Sequence, residues 1–70
     1  MPHPLIEARK RAHLSQKALA DRIGKDRITI LRIEKSQQRP SLETVERIVA
    51  ELRKERVELS ADAFLTESAA

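Results

Sequence analysis

Two arginines and two large aliphatic side chains lie close together in one short stretch: Arg27, Ile28, Leu31 and Arg32. A guanidinium is a flat fork of donors that matches the N7 and O6 acceptors of guanine, and an aliphatic group fits the methyl of thymine. Wound into a helix, these four share a side with Lys35, and Thr29 at its edge reaches a phosphate or a base edge. Leu31 is open between a groove contact and a place in a wider core. A mixed apolar and basic side is unusual for a surface that meets only water. The chemistry on offer is recognition. For catalysis the chain has no Cys, no glycine-rich phosphate loop, no H-E-x-x-H and no Ser-His-Asp set on ordered elements. His3 and His13 are its only histidines, and neither a metal site nor a cofactor is expected from them.

The side that carries these residues has to be held by its neighbours. Asp26 is placed to cap a helix over 27–35, with Ile30 and Ile33 on the buried side and Glu34 at its margin. Ser15 caps a preceding helix over 16–23, with Leu19, Ala20 and Ile23 inward, and Gly24 is its left-handed terminator. Further upstream, residues 5–12 put Leu5, Ala8 and Ala12 on one face beside Arg9, and His13 stands at the turn. Residues 1–4, with Pro2 and Pro4, are expected to fray.

Downstream, S-Q-Q-R-P at 36–40 reads as a polar loop and Ser41 as the cap of a helix running to about 55. That helix carries the clearest stripe in the chain: Leu42, Val45, Ile48, Val49 and Leu52. Val57-Glu58-Leu59 alternates like an extended segment, Ser60 caps a short last helix bearing Phe64 and Leu65, and 66–70 is expected to be disordered.

The net charge of +3 conceals a polarity. Residues 1–40 hold ten Lys/Arg against four Asp/Glu, and residues 41–70 hold four against seven. A basic front and an acidic back fit one face meant for a polyanion and another kept away from it. Seventy residues with one aromatic, Phe64, allow a single small aliphatic core. No apolar run reaches the roughly 20 residues of a membrane span. The expectation is a soluble, cytoplasmic, all-α protein in one domain, 1–70, whose motif lies at 15–35 and whose 53–70 segment is a possible dimerisation element.

The segments L-S-Q-K-A-L-A, I-G, T-I-L-R-I-E-K and R-P-S-L-E-T-V-E-R-I, in this order and spacing, resemble the Cro/phage-repressor (Xre-like) helix-turn-helix family across residues 5–52. The resemblance implies a lambda-repressor-like bundle of about five short helices, the third laid in the major groove of double-stranded DNA. It implies that Arg9 and Glu34 form an ion pair and that Gln16 contacts the DNA backbone while buttressing the third helix. Base readout then falls to Arg27, Ile28, Thr29, Leu31 and Arg32, and backbone contacts to Gln16, Lys17, Lys25, Lys35, Arg39 and Ser41. Arg11 and Arg22 are further phosphate candidates. A homodimer is expected, joined through Leu52, Val57, Leu59, Phe64 and Leu65. The function expected is a sequence-specific repressor on a palindromic operator. The alternative is an antitoxin-like subunit that holds a toxin or other protein partner through its C-terminal part. The chain departs from the family at Lys25, where an inward Val is usual, at Ser36, where Gly is usual, at Ala8, where a larger residue is common, and in the longer passage over 53–58.

Overall fold

Each of the four α-helices among the described residues starts at a side chain that caps its first turn and stops at a residue that turns the backbone left-handed. The computed structural model describes residues 3–64. They form α1 (Pro4–Arg11), α2 (Gln16–Ile23), α3 (Arg27–Glu34), α4 (Leu42–Lys54) and a closing 3₁₀ turn (Ala61–Phe64). Ser15 Oγ accepts from the Ala18 amide at 3.0 Å, Asp26 Oδ1 from Thr29 at 3.1 Å and Ser41 Oγ from Thr44 at 3.2 Å. Each bond satisfies one of the donors that a helix start leaves free.

The four ends share one closure. Leu14, Lys25, Gln37 and Val57 donate back to the carbonyls of Arg9, Ala20, Arg32 and Leu52 at 3.1, 2.9, 2.8 and 3.0 Å. The residue before each donor has positive φ: His13 (59°), Gly24 (73°), Ser36 (59°) and Arg56 (63°). This is the six-to-one closure in which glycine is favoured. A Cβ on Gly24 would meet nothing within 4 Å, so its backbone conformation, not crowding, calls for glycine there.

The core is aliphatic around one ring. Leu5, Leu19, Ile23, Ile30, Ile33, Ile48, Leu52 and Phe64 are the largest fully buried side chains. Ala20, also fully buried, lets α2 cross close over α3, while α2 also packs on α4 and the 3₁₀ turn closes against α4. No strand forms among the described residues, and Val57-Glu58-Leu59 is irregular, with Val57 turned into the core.

Three expectations need correction. His3 is not frayed: it is buried, its Nδ1 accepts from the Leu5 amide at 3.0 Å, and its ring lies 5.4 Å from that of Phe64. The N-terminus is thereby capped by an imidazole that the far end of the fold holds in place. Leu42, assigned to the buried stripe of α4, is 71% exposed, at the edge of a turn whose Thr44 and Val45 are buried. Leu52, Val57 and Phe64, assigned to a dimer contact, are buried within the protomer, and Leu59 packs partly against the same core. Leu65, and the disorder expected for 66–70, lie outside the described residues.

Phe64→Ala should lower stability in urea unfolding by about 3–5 kcal/mol, the usual effect of deleting a buried ring. His3→Ala should lower it by about 1 kcal/mol through the lost cap. Arg56→Gly should raise it by about 1 kcal/mol, since a left-handed position then carries no side chain.

Candidate nucleic-acid interface

Glu34, on the last turn of α3, brings the interface together. Its carboxylate has a side-chain exposure of only 4%, so its charge needs donors. Arg9 Nε donates to Oε2 at 2.7 Å, and Gln16 Nε2 donates to Oε1 at 2.8 Å. Arg9 also donates through Nη1 to the Leu14 carbonyl at 3.0 Å, which fixes its guanidinium against the α1–α2 turn. One carboxylate therefore joins α1, α2 and α3.

The chemistry of its neighbours fixes the Gln16 amide. Glu34 only accepts, so the amide nitrogen faces it; the amide oxygen then faces outward and accepts from Arg27 Nη1 at 3.2 Å. Arg27, at the start of α3, is in this way tied through Gln16 and Glu34 to Arg9 on α1. Gln16 has both ends of its side chain engaged within the protein; the second N–H of its amide and its backbone N–H are the donors it has left to offer a phosphate.

The outer side of α3 presents Arg27, Ile28, Arg32 and Lys35 to solvent, with Leu31 half-buried between them and outside the core cluster. Thr29 is also half-buried, and its hydroxyl donates to Asp26 Oδ1 at 2.8 Å. The hydroxyl and amide of Thr29 hold the exposed Asp26 carboxyl below its ordinary value. A negative residue thus stands at the head of a basic helix as its cap.

Beside α3 a concavity is lined by Lys25, Thr29, Gln38, Arg39 and Ser41, among others. A second runs past Gly24, Lys25 and Ser41 to Arg47. Both open at the N-terminus of α4, whose free amides attract anions. Gln38 and Arg47 were not anticipated from the sequence: one sits in an unpatterned loop, and the other is six residues beyond the cap it approaches. Ser41 Oγ also donates to Thr44 Oγ1 at 3.0 Å, so the hydroxyl is occupied with its own helix.

The cations divide into two sets. Arg22, expected near phosphate, instead reaches Glu55 at 3.0 Å and Glu51 at 3.6 Å on α4, because α2 packs there. Lys54 pairs with Glu51, Arg53 with Glu58, Arg47 with Glu43 and Lys17 with Asp21. Among the described residues, Lys10, Arg11, Lys25, Arg27, Arg32, Lys35, Arg39 and Arg56 enter no ion pair. Five of these eight, Lys25, Arg27, Arg32, Lys35 and Arg39, belong to α3 or to the turns on either side of it. Within the described residues no cluster of His, Asp or Glu is arranged to hold a metal, and no helix is long and apolar enough to cross a membrane.

A family model described as helix-turn-helix, of the Cro/C1 type, matches residues 5–59. No curated protein and no solved structure matches the chain.

Arg9→Met should cost about 3–5 kcal/mol in equilibrium unfolding, because it leaves the Glu34 carboxylate buried beside Gln16 alone. Arg9→Met combined with Glu34→Leu should cost less than the sum of the single changes, which a double-mutant cycle measures. The Asp26 carboxyl is lowered in the fold, so its contribution is present above the unfolded-state value and is lost as pH falls through the folded one. Asp26→Asn keeps a capping side chain without the titration. Thermal melts from about pH 5 to about pH 2 should show a smaller loss for the variant than for the native chain.

Proposed function

The chain belongs to the Cro/C1-type helix-turn-helix family of DNA-binding transcription regulators, and from that premise we propose a repressor that acts as a homodimer on a palindromic operator in the cytoplasm, by binding and not by catalysis. The whole chain, 1–70, serves as one reading unit. The observation that carries the proposal is the cluster of five unpaired cations around α3, beside an exposed Ile28, while Glu43 and Glu51 of α4 are matched by neighbours.

In this reading α3 lies in the major groove. Arg27 and Arg32 donate in pairs to guanine N7 and O6, and Ile28 meets a thymine methyl. Leu31 fills the space between them against the groove floor. Lys25, Lys35 and Arg39 meet the phosphates on either side, and the amides at the starts of α2 and α4 hold two more. The phosphate contacts fix register, and the bases are read by α3 alone.

The molecule is 30 Å in its longest direction, shorter than the about 34 Å that separates half-sites one helical turn apart. One copy therefore reads one half-site, and two copies supply the site length that specific occupancy of a genome needs. A bound dimer of this size represses by covering the promoter. The antitoxin reading has less support, since three of the acids of the C-terminal part, Glu51, Glu55 and Glu58, are engaged with Arg22, Lys54 and Arg53, and among the described residues Glu46 and Asp62 remain to meet a basic partner.

Selection of bound duplexes from random sequence, at two salt concentrations, tests the proposal. The native chain should return a palindromic consensus, and Arg32→Ala should weaken its guanine preference by about 1–3 kcal/mol. Lys25→Ala should weaken binding to all sequences alike and reduce the salt slope by about 1. Steeply salt-dependent binding with no consensus, and no effect of Arg32→Ala beyond its charge, would overturn it.

A further inference from the structure

Among the described residues Ile28 is the one large hydrophobic side chain of α3 that is exposed, at 38%. It sits on the first turn of the helix, with Arg27 before it and Arg32 one turn on. Leu31, three residues on and half-buried, extends the apolar strip along the same side. At the head of the helix stands the exposed Asp26. The amide and hydroxyl of Thr29 both donate to its Oδ1, which leaves Oδ2 to accept elsewhere. The outer side of α3 carries no Asn or Gln, the side chains that pair with adenine.

Each of these groups suits one edge of a base pair. A guanidinium donates to guanine N7 and O6, and a carboxylate accepts from cytosine N4. An aliphatic side chain has use only for a methyl at pyrimidine C5. Unmodified DNA offers that methyl on thymine alone, and the adenine opposite then meets guanidiniums where an amide would suit it. Cytosine with a methyl at C5 keeps guanine as its partner, and the pair meets all three groups at once.

We propose that α3 reads 5-methylcytosine paired with guanine in duplex DNA, with Ile28 packing on the methyl, Asp26 accepting from N4 and a flanking arginine donating to guanine. The inference rests on the DNA reading above and adds a modified base that the same side prefers to unmodified cytosine. Thymine is still accepted through its methyl, so the contact of Ile28 in unmodified DNA is unchanged. Asp26 separates the two methylated pyrimidines. The Thr29 hydroxyl and amide hold its carboxyl below the ordinary value, so at neutral pH it only accepts. It therefore favours the N4 donor of cytosine and opposes the O4 acceptor of thymine. Occupancy of an operator then depends on whether its cytosines are methylated.

Two pools of random duplexes test this, one made with cytosine and one with 5-methylcytosine throughout. The methylated pool should return a consensus in which 5-methylcytosine takes a position that thymine holds in the unmethylated one. Duplexes of that consensus, with and without the methyl, should differ in affinity by about fourfold per half-site, the effect of burying one methyl group. Over a palindrome with two such positions the difference should be about 15-fold. Ile28→Ala should bind methylated and unmethylated duplexes equally, and since Ile28 is exposed the variant should melt no lower than the native chain. Asp26→Asn, which keeps a capping side chain, should move the preference from 5-methylcytosine toward thymine, because its amide can pair with adenine. Equal affinity of the native chain for the two duplexes, or a methyl preference that survives Ile28→Ala, would overturn the proposal, while the consensus itself leaves the DNA reading standing. No consensus from either pool would overturn both.

Discussion

The buried carboxylate of Glu34 is the constraint on which the interface depends. A charge withdrawn from water in so small a core is tolerated only when donors surround it. Here they come from two other helices, Arg9 on α1 and Gln16 on α2. The same requirement that keeps the charge tolerable therefore fixes how α3 sits against the rest. It also orients the Gln16 amide, and through it Arg27. Apolar packing of Leu19, Ile23, Ile30 and Ile33 brings α2 and α3 together without choosing a register finely. The directional bonds to Glu34 choose it.

Around that constraint the charges are sorted by position. Where α2 meets α4, Arg22 is taken up by Glu51 and Glu55. Around α3 the acids are already occupied: Asp26 caps the helix through Thr29, Glu34 is held by Arg9 and Gln16, and Glu43 pairs with Arg47. Exposed pairs of this sort add little to stability. Their consequence is electrostatic: Arg22, Arg53 and Lys54 are offset by acids of the C-terminal half while five unpaired cations gather around α3, which favours the approach of a polyanion to α3.

What could be read from the sequence was local. Ser15, Asp26 and Ser41 cap helices three residues ahead, and Gly24 turns at its own position, so short spacing and residue type were enough. Ser36 and Arg56 perform the same turn as Gly24 without being glycine, and for them residue type gave no signal. The Arg9–Glu34 contact came into view through family resemblance; nothing in the spacing of the two residues indicates it. The features that escaped were long-range. His3 looked loose because its partner ring, Phe64, lies at the other end of the chain. Arg22 looked like a phosphate contact because its acidic partners are on α4. Leu42 fitted the stripe of its helix by periodicity, but periodicity does not tell which position of the stripe the other elements leave uncovered.

The most direct test of the central claim, that the outer side of α3 enters the major groove, is an NMR titration of the isotopically labelled chain with a duplex that it selects. The account predicts intermolecular contacts from the Ile28 methyls to a thymine methyl, with large shift changes at Arg27, Arg32 and the amides at the starts of α2 and α4. It also predicts that the Glu51–Glu58 side stays silent. Shift changes centred on α1 or the C-terminal half of α4, with α3 unchanged, would contradict it.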